Sequence, residues 1–161
     1  MTTKQNINQH MGNKQSSARK WGKAFEYDFR KSCPEDILMQ RLYDGKWRNP
    51  ADYYLHDGEN LIYLELKTTQ HKRLDRANVR DHQLYSLNEL NKRQRIKGGF
   101  VVNMRAVDET YYIDGETAYR LFEEEGLKSI PLDYFRKNCI RVGQVKKRTR
   151  STYNYSFLSK I

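Results

Sequence analysis

Asp52, Glu65 and Lys67 are the residues whose types and spacing best suit catalysis. Between Leu61 and Thr68 the chain alternates, so Leu61, Tyr63, Glu65 and Lys67 share one face of an extended strand and Ile62, Leu64 and Leu66 the other. The apolar face must be covered, which places the strand inside a sheet. Asp57, Gly58, Glu59 and Asn60 suit a tight hairpin turn. If Asp57 pairs with Asn60, then His56 faces Leu61, Tyr54 faces Tyr63 and Asp52 faces Glu65. Carboxylates on opposed residues, with Cβ atoms roughly 5 Å apart, repel by about 3 kcal/mol at an effective dielectric of ~20. A cation must offset that. Oxygen donors without Cys or His suit a hard ion, Mg²⁺ or Mn²⁺, completed by water and substrate phosphate. Phosphodiester hydrolysis is the chemistry such a set supports. The alternative is a salt-bridge cluster on a solvated strand face.

Elements to position these residues are legible on both sides. Trp21, Phe25 and Phe29 recur every fourth residue between Ser17 and Ser32 and predict an amphipathic helix, closed by Ser32, Cys33 and Pro34. A short element follows from Ile37 to Tyr43, and Asp44, Gly45 and Asn49–Pro50 mark a loop. The hairpin strands are Ala51 to His56 and Leu61 to Thr68. Val79, Gln83, Leu87 and Leu90 predict a helix over Asn78 to Arg95, ending before Gly98 and Gly99. Phe100 to Arg105 and Thr110 to Ile113 are two further strands. Asp114 can cap a short helix that Gly126 stops. This order predicts an α/β domain with a central mixed β-sheet flanked by helices. The domain spans 17–145, between a flexible N-terminal arm, 1–16, and a basic C-terminal tail, 146–161, which opens on KKRTR.

Thirty Lys and Arg against twenty Asp and Glu give a formal charge of +10 over 161 residues, which favours a polyanionic partner. No apolar run approaches ~18 residues and neither end carries a lipidation signal, so no membrane partner is expected. The polar opening lacks a secretory signal, and a cytoplasmic location follows. Cys33 and Cys139 lack the paired spacing of a zinc site and read as buried or idle thiols. His71, Lys72, Arg73, Arg76 and Arg80 follow the catalytic strand closely, and with Lys20 and Lys23 on the first helix they are candidate DNA contacts. The alternative is a solvated charged loop.

NPADYYLHDGENLIYLELK, which holds Asp52, Glu65 and Lys67, has the spacing of the PD-(D/E)xK nuclease motif. GKAFE at 22–26, Asp81-His82-Gln83, KGGFVVNM and GLKSIPLDYF extend the likeness, and over Lys20 to Val142 the chain resembles the RecU family of Holliday junction resolvases, including shorter phage relatives. The resemblance implies a restriction-endonuclease-like fold. It implies an active site of Glu26, Asp52, Glu65 and Lys67 lined by Gln83. Asp52 and Glu65 would bind Mg²⁺, or Mn²⁺, with Glu26 supporting the metal shell, and Lys67 would orient the attacking water. Glu26 enters only through GKAFE; alone it is an acid placed to pair with Arg30. The resemblance further implies a crossover junction endonuclease of recombination and repair, acting on four-way DNA junctions as a homodimer in a bacterial cell or, for a phage protein, in the host cytoplasm. A recombinase contact is associated with the family but has no readable signal here. One departure stands out: only residues 27–51 separate Glu26 from Asp52, too few for the stalk of bacterial members. That keeps two other functions open, a nuclease of duplex, flap or single-stranded DNA and a basic DNA-binding protein that does not cut.

Overall fold

The computed structural model describes residues 3–43 and 48–161, with side chains from Ser17 onward; the loop expected at Asp44 and Gly45 lies outside the described residues. The chain runs through α1 (Thr3–Lys31), β1 (Leu38–Arg41), the hairpin β2 (Tyr53–His56) and β3 (Leu61–Thr69), then β4 (Arg73–Asp75) and α2 (Asp81–Asn91). A second hairpin, β5 (Ile96–Met104) and β6 (Glu109–Asp114), leads into α3 (Gly115–Tyr119), which continues as a π-helical turn over Arg120–Glu124. Then come β7 (Ser129–Pro131), α4 (Leu132–Asn138), β8 (Ile140–Val142), β9 (Gln144–Lys146), β10 (Ser151–Tyr153) and a 3₁₀ segment, Tyr155–Lys160.

Six strands form the central sheet in the order β1-β2-β3-β5-β6-β8. Among the described residues only β3 and β5 pair in parallel, and the crossover between them carries α2. The mixed sheet flanked by helices is the one the element order predicts. The hairpin register is also as expected, with Tyr54 opposite Tyr63 and His56 opposite Leu61. The turn is held by Asp57 Oδ1, which accepts from the backbone N–H groups of Glu59 and Asn60, and by Gly58 at φ +102°. Asp114 caps α3 by accepting from Thr117 N at 2.8 Å, and Gly126, at φ +69°, turns the chain beyond it.

Alternation sorts the sheet residues into two cores. Ile62, Leu64, Leu66 and Val101 face Phe25 and Phe29 of α1. Phe100, Val102 and Met104 face Leu84 and Leu87 of α2, with Leu121 and Phe135 beyond. Crossing helices approach closely at Gly115, where an added Cβ would stand 2.6 Å from the carbonyl carbon of Leu87. Gly115→Ala is therefore expected to cost about 1–3 kcal/mol through overpacking, read as a lower urea midpoint with an unchanged slope.

Three expectations need correction. The helix begins at Thr3, not Ser17; residues 3–16 are largely polar, which weakens the apolar signal there, and contain no proline. Trp21 does not share the full burial of Phe25 and Phe29 and is only partly buried. The C-terminal 146–161 is not a tail. Tyr153, Tyr155, Phe157 and Leu158 are buried in the α1-side core. The Tyr155 hydroxyl donates to Phe29 O at 2.7 Å, Ser151 N donates to Asp28 Oδ2 at 3.0 Å, and Tyr153 N donates to Ser32 Oγ at 3.0 Å. The physical reason is the period-two run of aromatics after Lys147, which needs a partner face that only α1 and the sheet supply.

Candidate active site

Glu65 sits mid-strand in β3, flanked by β2 and β5, and its side chain is only 4% exposed. Lys67, two residues on and on the same face, places Nζ 2.8 Å from Glu65 Oε1. The same ammonium donates to Gln83 Oε1 at 3.2 Å. Gln83 is buried near the start of α2, so the crossover that makes β3 and β5 parallel also supplies the lysine's second partner. The β2 ladder ends at the Tyr53–Leu64 pair, and just beyond it Asp52 Oδ2 takes over by accepting from Leu66 N at 2.9 Å. The carboxylate thus replaces a strand partner and is fixed beside Glu65.

The two acids face each other electrostatically. Burial, first, and the Asp52 charge push the Glu65 carboxyl up to about 7, against the opposing pull of Lys67. Its second oxygen, Oε2, is buried without a hydrogen-bond partner. A buried, unsatisfied carboxylate oxygen is costly and marks a place where a ligand belongs.

Glu26 stands to one side. Its Oε2 lies 3.3 Å from the Arg41 guanidinium on β1, and burial and then the Asp52 charge raise its carboxyl above the ordinary range. The structure thus brings together Asp52, Glu65, Lys67 and Gln83, while Glu26 reaches the group through charge on Asp52. Among the described residues no three His, Cys, Asp or Glu side chains gather closely enough to hold a metal alone. Two carboxylates with an open oxygen still fit Mg²⁺, which is ordinarily bound through one or two carboxylates, water and substrate phosphate. Beside the site, a small cleft of about 100 Å³ is lined by Asp52, Gln83, Arg41, Arg80 and His82.

Lys20, Lys23, His71, Lys72, Arg73 and Arg80 are exposed, as DNA contacts would be. Arg73 also pairs with Asp75 at 2.7 Å. Arg76 is half-buried, and its guanidinium bonds Asp81, Glu123 and the Val79 carbonyl, which ties the start of α2 to the turn after α3. Arg41 and Arg105 escape the sequence reading. Arg41 pairs with Glu26 through β1, a contact with no local signal. Arg105 is brought beside the end of β3 because its N–H donates to Thr69 O at 2.9 Å, a placement that the parallel register would have given. Burial raises both thiols, that of Cys139 to about 12.

The sequence model of the family Recombination protein U, RecU, matches residues 46–156, well over half the chain, and the chain belongs to that family. Asp52, Glu65, Lys67 and Gln83 lie inside the matched span; α1 with Glu26 lies outside it. No curated protein matches the sequence. Among solved structures, Archaeoglobus fulgidus Hjc, a Holliday junction resolvase from an archaeal hyperthermophile, is similar at 10% identity and a TM-score of 0.48, over 66% of this chain and 83% of that one. Among the described residues no helix is long and apolar enough to cross a membrane.

Proposed function

We propose that this RecU-family chain is a Holliday junction resolvase, a divalent-metal-dependent endonuclease that hydrolyses phosphodiester bonds at four-way DNA junctions by paired nicks. The observation that carries the metal-dependent chemistry is the buried, partnerless Oε2 of Glu65, a carboxylate set beside Asp52 whose other oxygen, Oε1, lies 2.8 Å from the Lys67 ammonium. A phosphate-cutting site needs a cation there and a positive donor next to it. Asp52 and Glu65 would hold Mg²⁺, with Mn²⁺ a substitute and Glu26 a further carboxylate acting on Asp52. Bound there, the ion would supply Lewis acidity toward the phosphate and neutralise its charge.

The chain's own residues do the rest. The Leu66 N–H fixes the Asp52 carboxylate. Gln83 and Glu65 together aim the Lys67 ammonium, which orients the attacking water and stabilises charge developing on the phosphate. The exposed cations after β3 and on α1 engage the flanking phosphates. Two symmetric cuts need two sites, and a homodimer with twofold symmetry matches a twofold junction.

A second reading, a nuclease of duplex, flap or single-stranded DNA, draws on one feature: between α1 and β2 the described residues hold only the short strand β1. The test is cleavage of a labelled four-way junction and a linear duplex by the wild type and Asp52→Asn in Mg²⁺, Mn²⁺ or EDTA. Metal-dependent paired nicks in the junction alone are expected. Asp52→Asn should lose more than the ~100-fold typical of groups outside a metal's direct ligands. Cutting of both substrates would support the second reading. Tight binding without cutting would make the protein an architectural one, and light scattering that finds only monomer on junction DNA would remove the paired-nick mechanism.

A further inference from the structure

Trp21 is only partly buried while Phe25 and Phe29 on the same helix row are buried. It walls a cleft of about 350 Å³ at the C-terminal end of β3, a volume within the ~300–1,000 Å³ of small-molecule sites. Thr68 and Thr69, directly after Lys67, line that cleft, and the exposed amides of Gln70 and Asn78 stand at it too. The Arg105 guanidinium lies 3.9 Å from the indole centroid. A second hollow of about 170 Å³ is also bordered by Trp21 and Arg105, so the stacked pair forms a partition between two openings. α1 itself runs close to β3 here, since a Cβ added at Gly22 would meet Thr68 Cγ2 at 4.0 Å.

An indole that is only partly buried, bordering two openings and stacked on a cation, is an arrangement that can bind the face of a nucleobase. The amides offer donors and acceptors for a base edge. Lys20, Lys23 and Lys72 are exposed and supply the positive charge that draws the attached phosphates. We infer that the Trp21–Arg105 pair is a stacking platform for an unstacked base of the DNA substrate, such as one exposed where strands exchange, and that it positions the strand entering the Asp52–Glu65–Lys67 site. This rests on the nuclease reading above. Trp21 is a positioning residue and takes no part in the hydrolysis.

The experiment separates the two claims by working on uncut DNA. Asp52→Asn protein in Mg²⁺ is titrated with a synthetic four-way junction and with fully paired duplex of equal length, following tryptophan emission. A junction-induced quench is expected, and it should vanish in Asp52→Asn/Trp21→Phe, a change that keeps an aromatic ring in place. Trp21→Ala should weaken junction binding by roughly 5- to 100-fold while duplex binding changes less, with most affinity retained by Trp21→Phe. A quench that persists without Trp21, no quench at saturation, or equal losses on junction and duplex would overturn the inference. Failure of the wild type to cut either substrate, with the quench intact, would instead sink the nuclease reading and leave the base-binding platform standing.

Discussion

Glu65→Gln is expected to abolish cleavage and, in the absence of metal, to make the protein more stable above neutral pH. The Glu65 carboxyl is 4% exposed and burial pushes it from its ordinary 4.5 up to about 7. A carboxyl raised on folding contributes stability that is complete below its unfolded value and is lost as pH rises through its folded one. Between about pH 4.5 and pH 7 the wild type should therefore lose on the order of 3 kcal/mol relative to Glu65→Gln. The measurement is urea unfolding of both proteins across that range in EDTA. Parallel curves would mean that Glu65 is solvated or neutralised in some other way. Adding Mg²⁺ should then restore wild-type stability at pH 8 and leave Glu65→Gln unchanged, because a ligand stabilises only the form that binds it.

A chain ending at Arg150 is expected not to fold. It would lose Tyr153, Tyr155, Phe157 and Leu158, all buried, and strip Asp28 of its bond from Ser151 N. At about 1.5–3 kcal/mol per buried apolar side chain, four such residues account for roughly 6–12 kcal/mol, as much as the ~5–15 kcal/mol that holds a domain folded. Loss of near-ultraviolet circular dichroism and of cooperative unfolding would show it. Phe157→Ala provides the graded version, at about 3–5 kcal/mol. A truncated chain with a native-like urea midpoint would mean that the segment is an accessory.

The candidate site was legible because it is local. Alternation from Leu61 to Lys67 and the Asp57–Asn60 turn set which side chains face one another, and the helical spacing of Gln83 and Leu87 turned Gln83 toward the sheet, although the helix is shorter than the expected Asn78 to Arg95 and leaves Val79 extended before it. What escaped depends on contacts distant in sequence. Arg41 finds Glu26 across a strand that has a weak apolar pattern. The C-terminal segment was hidden by its own charges: KKRTR drew the reading toward a solvated tail, although Tyr153, Tyr155 and Phe157 alternate behind it. Arg76, chosen for its charge, is occupied by two acids that lie 5 and 47 residues away.

The anchoring of Tyr155 to Phe29 has a consequence for the order in which the protein can be made. These partners are 126 positions apart, and the sheet face bearing Ile62 and Leu64 is closed by Phe157 and Leu158. During synthesis from the N-terminus α1 can cover part of that face early, but the part that meets Phe157 and Leu158 stays uncovered until the ribosome has passed residue 158. From the synthesis of β3 onward the nascent chain therefore carries an incompletely covered apolar surface, and folding waits on its most distant contacts.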